Sequence, residues 1–321
     1  MDIYKRCLLL FPAGALFFLL VVQPLLFWLN LGVPTEQERY LDEWWQKKET
    51  YARSITGRKI LFVSGSNTLF GVNTARIEEE LGIPTVNFGL HAGLSFYILH
   101  RAAASMQPGD IVVLPLEYPI YTWHKYEWDE TYLTYLTAYD KAAYMALSWP
   151  EKIAFIYRCN PLDLLWGVKC RLVPPARRTG SYDSKYLNQN GDMLNNLAAK
   201  SQSPGVLKSK IVARVFKETP IPTEDAKEEF GSFFAFCREQ HITVYVTWPN
   251  YLWKDKAFHD QDLTAIEGIK TFYQAQGVEV LGEYTDCLYE AENFYDTLYH
   301  LNSVGKEKHT DYLISLLKGK V

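Results

Sequence analysis

From Cys7 to Val33 the chain carries no charged residue, a run of 27 positions. About 20 apolar residues suffice to cross the hydrocarbon core of a bilayer, so this run predicts a membrane-spanning helix. Lys5 and Arg6 precede it, and Glu36 and Glu38 follow it. The excess of basic residues on the N-terminal side predicts a cytoplasmic N-terminus, with everything after Val33 carried outward. A cleavable signal peptide would have an apolar region of about 7–15 residues and a small-residue cleavage site. Here the run is longer and ends Phe27-Trp28-Leu29-Asn30, which favours an uncleaved anchor over residues 1–33. The remainder contains no second such run and reads as an exported, water-soluble domain, preceded by a juxtamembrane helix within 34–57.

The 321 residues carry 33 Lys+Arg against 37 Asp+Glu, a formal charge of −4. A weakly acidic chain lacks the basic face a nucleic-acid binder requires, so no nucleic-acid partner is expected. Cys159, Cys170, Cys237 and Cys287 lie in the exported part, where oxidation is possible. Cys159 and Cys170 are either paired across their short loop or are buried free thiols. The seven His residues show no metal-ligand spacing, and neither metal nor cofactor is expected.

A regular alternation begins near residue 58. Apolar runs at Lys59–Ser64, Pro84–Phe88, Asp110–Leu114, His241–Thr247 and Val278–Leu281 read as buried strands. Between and after them, Thr74–Leu81, Ala92–Met106, Glu224–Glu239, Leu263–Gln276 and Gly305–Leu317 read as helices. Strands alternating with helices predict an α/β domain over 58–321, a five-stranded parallel sheet with helices on both faces. Ligands in such sheets bind beyond the carboxyl ends of the strands. The alternation breaks over about 118–220, a stretch rich in Tyr118, Tyr121, Trp123, Tyr126, Trp128, Tyr132 and Tyr135. It reads as an insertion folded over the carboxyl edge of the sheet, its aromatics either stacking on sugar faces or packing its own core.

The strand ends carry the candidate chemistry. The first strand ends Val63-Ser64-Gly65-Ser66-Asn67, which sets a serine in the crevice with backbone amides beside it. Before the last helix comes Phe294-Tyr295-Asp296-Thr297-Leu298-Tyr299-His300-Leu301-Asn302. A serine hydroxyl needs a base to become nucleophilic at neutral pH. His300 supplies one, and Asp296 can fix its tautomer. His91 follows the second strand, Glu117 the third and Asn250 the fourth. Arg177 and Arg178 read as a solvated pair or as a grip on an anionic glycan. A nucleotide-binding reading fails, because Gly65 to Gly71 has neither the glycine spacing nor the lysine of a phosphate-binding loop.

The segments Gly65–Gly71, Val86–Gly93 and Asp296–Asn302 together resemble the SGNH (GDSL-like) hydrolase superfamily. In particular they resemble its membrane-anchored branch, which includes relatives of lipoteichoic acid D-alanylation and alginate acetylation proteins. That resemblance implies a flavodoxin-like fold and a Ser-His-Asp acyl-enzyme mechanism with Ser66 as nucleophile, His300 as base and Asp296 as its orienting carboxylate. Gly89 would lend its amide to the oxyanion hole. The implied substrate is an O-acyl group, most simply acetyl, on a cell-envelope polysaccharide. The implied partner is a membrane-bound O-acyltransferase, with the catalytic domain on the periplasmic or extracellular side. The chain departs from the family in three places. The family's first block is usually Gly-Asp-Ser, whereas here Ser64 precedes Gly65-Ser66. Three residues, not two, lie between Asp296 and His300. Glu117 stands in the block that usually supplies an oxyanion asparagine, leaving Asn67 or Asn250 as substitutes. A catalytically weak scaffold of the same fold, binding a glycan or a partner acyltransferase, is the competing expectation.

Overall fold

The computed structural model describes residues 3–177, 180–211, 214–217, 220–252, 258 and 260–321. One helical run opens the chain, Ile3–Phe17 continuing through a π-helical turn Phe18–Val22 into Gln23–Asn30; we call it α1. Its stretch Leu10–Asn30, 21 residues, is long and apolar enough to cross a bilayer. There follow α2 (Arg39–Ser54), β1 (Ile60–Ser64), α3 (Ser66–Gly71), α4 (Thr74–Leu81), β2 (Thr85–Gly89), α5 (Tyr97–Ala103) and β3 (Ile111–Leu114). Then come α6 (Glu130–Ala138), α7 (Lys141–Ala146), α8 (Trp149–Arg158), α9 (Pro161–Leu172) and α10 (Pro204–Ser209). The chain closes with α11 (Glu224–Glu239), β4 (Thr243–Thr247), α12 (Asp260–Ala275), β5 (Glu279–Leu281) and α13 (Ser303–Leu317).

The chain divides into two compact units. One comprises 1–42 and 126–179; the other comprises 43–125 and 180–321, the division falling inside α2. This redraws the expected organisation. The aromatic stretch is not one insertion: residues 126–179 form a helical unit with α1, while 180–220 belong to the unit that holds the sheet. Cys159 and Cys170 are buried free thiols. A helix rather than a short loop separates them: Cys159 precedes α9 and Cys170 lies in its last turns, carried away at about 1.5 Å per residue.

In the second unit five strands form one parallel sheet, in the order β2-β1-β3-β4-β5, and Tyr251–Leu252 pairs separately with Leu288–Tyr289. Register is set by pairs such as Ser64 with Gly89 and Ile60 with Ile111. Every residue of β1, β2 and β3 is buried, as expected of parallel strands covered on both faces. On one face Ile60, Phe62, Ile111 and Val113 pack with Ile77 of α4 and with Leu313, Ile314 and Leu317 of α13. Asn73 caps α4 through its side chain and Gly82 ends it in the left-handed conformation. The helix expected over Ala92–Met106 breaks instead into a 3₁₀ turn, Ala92–Leu94, and α5, with Ser95 between them at φ +46°.

The edge strand β2 is closed off by side chains and loop. Asn190 Nδ2 donates to Thr85 O (2.9 Å), and Asn87 N donates to Asn190 O (2.8 Å). Lys48, fully buried on α2, donates from Nζ to Asn87 O (2.6 Å) and Gly191 O (2.7 Å). Burial lowers its pKa to about 7, against the pull of nearby Asp192. The aromatics Tyr118, Tyr121 and Tyr135 are core residues, and the Tyr121 hydroxyl meets that of Tyr273 at 2.8 Å.

Candidate active site

Between Lys59 and Val72 every residue is buried except Ser66. The strand delivers the chain to the crevice, Gly65 turns it, and Ser66 opens α3 at the surface. Its hydroxyl donates to Glu117 Oε1 at 3.3 Å, and the same oxygen accepts Asn67 N at 2.8 Å. Gly65 is required by this approach. A Cβ there would lie 2.5 Å from Glu117 Oε1 and 3.1 Å from Ala92 Cα. Glu117 is itself buried. Burial pushes its carboxyl above the usual carboxylate range, opposed by the Asn67 amide, His300 and the Ser66 hydroxyl.

His300 and Asp296 come from one tight loop. Phe294 and Leu301 pair as an antiparallel bridge, and Tyr295 N donates to His300 O at 2.7 Å. At the tip, Thr297 Oγ1 accepts the amides of Tyr299 (3.2 Å) and His300 (3.1 Å). This fold-back carries the Asp296 carboxylate to the imidazole, with Nδ1···Oδ1 at 2.7 Å. The four-residue spacing therefore still delivers a carboxylate to the ring. The Tyr182 hydroxyl also donates to Asp296, at 2.5 Å. Burial alone would raise the Asp296 carboxyl, but the His300 and Tyr182 hydrogen bonds outweigh it and hold the group below its usual range.

The serine and histidine segments are bound to each other. Phe70, one turn beyond Ser66 on α3, stacks on the His300 ring with centroids 4.2 Å apart and planes 11° from parallel. Asn196, buried, donates from Nδ2 both to Phe70 O (2.9 Å) and to Leu301 O (2.7 Å), stapling the end of α3 to the residue after His300. With Nδ1 taken by Asp296, His300 Nε2 is the nitrogen left for a serine proton. Sequence reasoning missed Tyr182, Phe70 and Asn196. Phe70 lay in the motif, four residues from Ser66 on a helix, and that spacing was the available signal. Tyr182 and Asn196 come from across more than a hundred positions and gave none.

The expected oxyanion donors are engaged elsewhere. Gly89 N donates to Asn87 Oδ1 (2.9 Å), and a Cβ on Gly89 would overlap the backbone of Leu69, so this glycine serves the close approach of β2 and α3. Asn67 Nδ2 donates to Pro115 O (2.6 Å), while its Oδ1 lies 2.9 Å from the Ser64 hydroxyl. Asn250 Nδ2 donates to Tyr299 O (2.5 Å), next to His300, so this side chain holds the histidine loop. Each of the three thus makes a hydrogen bond within the protein, though the Asn67 and Asn250 amides each carry a second hydrogen. Half-buried His91 accepts Gly93 N at its Nδ1 (3.1 Å) and shapes its own loop. Arg177 belongs to the other unit, and Arg178 lies outside the described residues. No protein-family model matches the chain, and neither does any curated protein sequence.

Proposed function

We propose that this protein is a membrane-anchored serine acyltransferase or esterase of the SGNH hydrolase type, working through an acyl-enzyme on Ser66. The observation that carries the reading is the Asp296–His300 pair stacked on Phe70, one helical turn from the only residue between Lys59 and Val72 that reaches solvent. The strand order 2-1-3-4-5 is that of flavodoxin-like sheets, and the site lies at the carboxyl ends of β1 and β3, where such sheets bind ligands.

In this reading Ser66 Oγ attacks the acyl carbonyl, and its proton passes to His300 Nε2. His300 then gives that proton to the departing alcohol. A second hydroxyl, from a sugar or from water, resolves the acyl-enzyme with His300 again as base. Asp296 stabilises the imidazolium. The resting Ser66–Glu117 hydrogen bond must give way to one with His300, and catalytic hydrogen bonds are commonly loose before substrate arrives. The substrate class, O-acyl groups such as acetyl on a cell-envelope polysaccharide, rests on the motif resemblance. So do the membrane-bound O-acyltransferase partner and the placement of the domain outside the cytoplasmic membrane.

A second reading, a catalytically weak scaffold of the same type, draws on one observation: Gly89, Asn67 and Asn250 all donate to protein acceptors rather than to the crevice. A fluorophosphonate probe separates the two. The full chain in detergent should label at Ser66, Ser66→Ala should not label, and His300→Ala should label orders of magnitude more slowly, because nucleophile and base fail together. A wild-type chain that stays unlabelled, or a Ser66→Ala variant that labels equally, would establish the scaffold.

A further inference from the structure

The helical unit joins an apolar helix to a hairpin that hides little of its own apolar surface. Gln23, Phe27 and Asn30 occupy one stripe of α1 and are buried against α8 and α9. Gln23 Nε2 donates to Ile156 O (3.0 Å) and Cys159 O (3.3 Å) at the hairpin tip. Asn30 Nδ2 donates to Leu164 O (2.6 Å), and Gly167 leaves no room for a Cβ beside the Asn30 side chain. The Tyr157 hydroxyl reaches Leu19 O (3.1 Å), and Arg171 reaches Leu29 O (2.7 Å). Phe155 packs on Phe27 with ring centroids 5.8 Å apart.

These contacts fix depth. At about 1.5 Å per residue, Gln23 lies roughly 10 Å along α1 from Asn30, so the tip of the hairpin sits about 10 Å below the level of Asn30. The outward side of the hairpin is apolar at helical spacing. On α8 it is Trp149 (78% exposed), Ile153 (54%) and Tyr157; on α9 it is Leu162 (71%), Leu165 (53%) and Leu172. Leu25, Trp28 and Leu29 of α1 continue the same exposed surface. Charged side chains border it: Arg158, Lys169 and Arg171 are exposed, and the Lys152 ammonium stands over the Trp149 ring, 5.5 Å from its centroid. Arg158 and Asp163 line a cavity of about 240 Å³ inside the unit, shared with Glu130 and Asn160. Lys169 folds its ammonium over the Trp166 ring, 4.1 Å from the centroid.

We infer that the α8–α9 hairpin is a second membrane-inserted element, seated in the acyl chains of the leaflet that holds the C-terminal end of α1. This rests on α1 being a retained membrane anchor. The occupant is lipid rather than protein because the exposed stripe is continuous with that of α1, to which the hairpin is hydrogen-bonded along its length. An apolar helix face entering about 5–10 Å below the headgroup boundary is the geometry of interfacial membrane helices.

Site-directed spin labelling of the full chain in phosphatidylcholine–phosphatidylglycerol vesicles tests it. Ile153→Cys and Leu165→Cys change exposed side chains, so neither removes packing. Leu20→Cys reports the anchor and Glu239→Cys, exposed on α11, reports water. The unsubstituted chain gives the background from its own thiols. The labels at 153 and 165 should show an oxygen-to-nickel-chelate accessibility ratio several-fold above that at 239, and close to that at 20. A lipid-like label at 20 with water-like labels at 153 and 165 would overturn the hairpin proposal and leave the anchor standing. A water-like label at 20 would remove the anchor reading itself. Labels at 153 and 165 shielded from both reagents would replace lipid by a protein partner, and dilution of the chain among vesicles would identify that partner as a second copy.

Discussion

Substituting Gly65 by alanine tests whether the seating of Glu117 over the turn between β1 and α3 sets the reactivity of Ser66. The new Cβ would stand 2.5 Å from Glu117 Oε1 and 2.9 Å from its carboxyl carbon. The carboxylate must retreat by about half an ångström merely to reach the shortest contact real Cβ atoms make. Its 2.8 Å bond from Asn67 N then stretches past the normal range, and its 3.3 Å bond from Ser66 is lost. A hydrogen bond to a charged group is worth about 1.5–3 kcal/mol, and an inserted methyl in a packed site costs about 1–3 kcal/mol. The expected destabilisation is about 2–4 kcal/mol, read by urea unfolding of the full chain in detergent. Fluorophosphonate labelling of Ser66 should change in rate along with it. The same substitution at Gly231, inside α11 with nothing within 4 Å of the new methyl, should instead stabilise by about 0.5–1 kcal/mol, the helix propensity difference. If Gly65→Ala matches wild type within about 0.5 kcal/mol and labels at the same rate, the argument that Glu117 is fixed by contact over Gly65 is wrong.

Tyr182→Phe removes one of the two hydrogen bonds that depress the Asp296 pKa, so that pKa should rise. A depressed carboxyl stabilises the fold above its unfolded pKa, and that contribution fades as pH falls through the folded value; the variant should therefore lose stability at neutral pH and show an acid limb of labelling displaced to higher pH. Glu117 titrates the other way: a carboxyl raised by burial holds its proton more tightly folded than unfolded, so wild-type stability should fall as pH climbs out of the ordinary carboxylate range, and Glu117→Gln should flatten that segment of the curve. Lys59 and Asp110 form a fully buried ion pair, Nζ···Oδ2 2.7 Å, at the base of the sheet. Lys59→Met alone should cost about 3–5 kcal/mol in thermal unfolding, whereas Lys59→Met with Asp110→Leu should recover much of it, since the loss comes from stranding one charge.

The strands and most helices of the sheet unit were legible because each is a short apolar run between turn residues; Thr74–Leu81 and Glu224–Glu239 form over the residues read from the sequence. The helix past Ala92 was misread because nothing local announces the positive φ at Ser95. The separate helical unit was also missed, although α1 carried a clue. Gln23 and Asn30 lie seven residues apart on one face of an otherwise apolar helix, and buried amides at that spacing call for a packed partner. The placement of Ser66 just after β1 and of Asp296 and His300 in the loop before the last helix was legible. The hydrogen bonds of Gly89, Asn67 and Asn250 were not, because the sequence shows an amide but not its acceptor. Asn87 takes the Gly89 amide, Pro115 that of Asn67 and Tyr299 that of Asn250. Tyr182 and Asn196 act through contacts that span the fold.

The capping of β2 by Asn190 and Lys48 decides how this sheet can meet other molecules. An open edge strand invites a foreign strand to continue the ladder, whether as a bound peptide, a swapped segment or the start of a fibril. Here Thr85 O, Asn87 N and Asn87 O are already bonded to Asn190 and to the Lys48 ammonium. An incoming strand would have to displace both a loop and a buried lysine. Were α1 to hold the protein at high local concentration in a membrane plane, this capped edge would guard it against stacking with its neighbours.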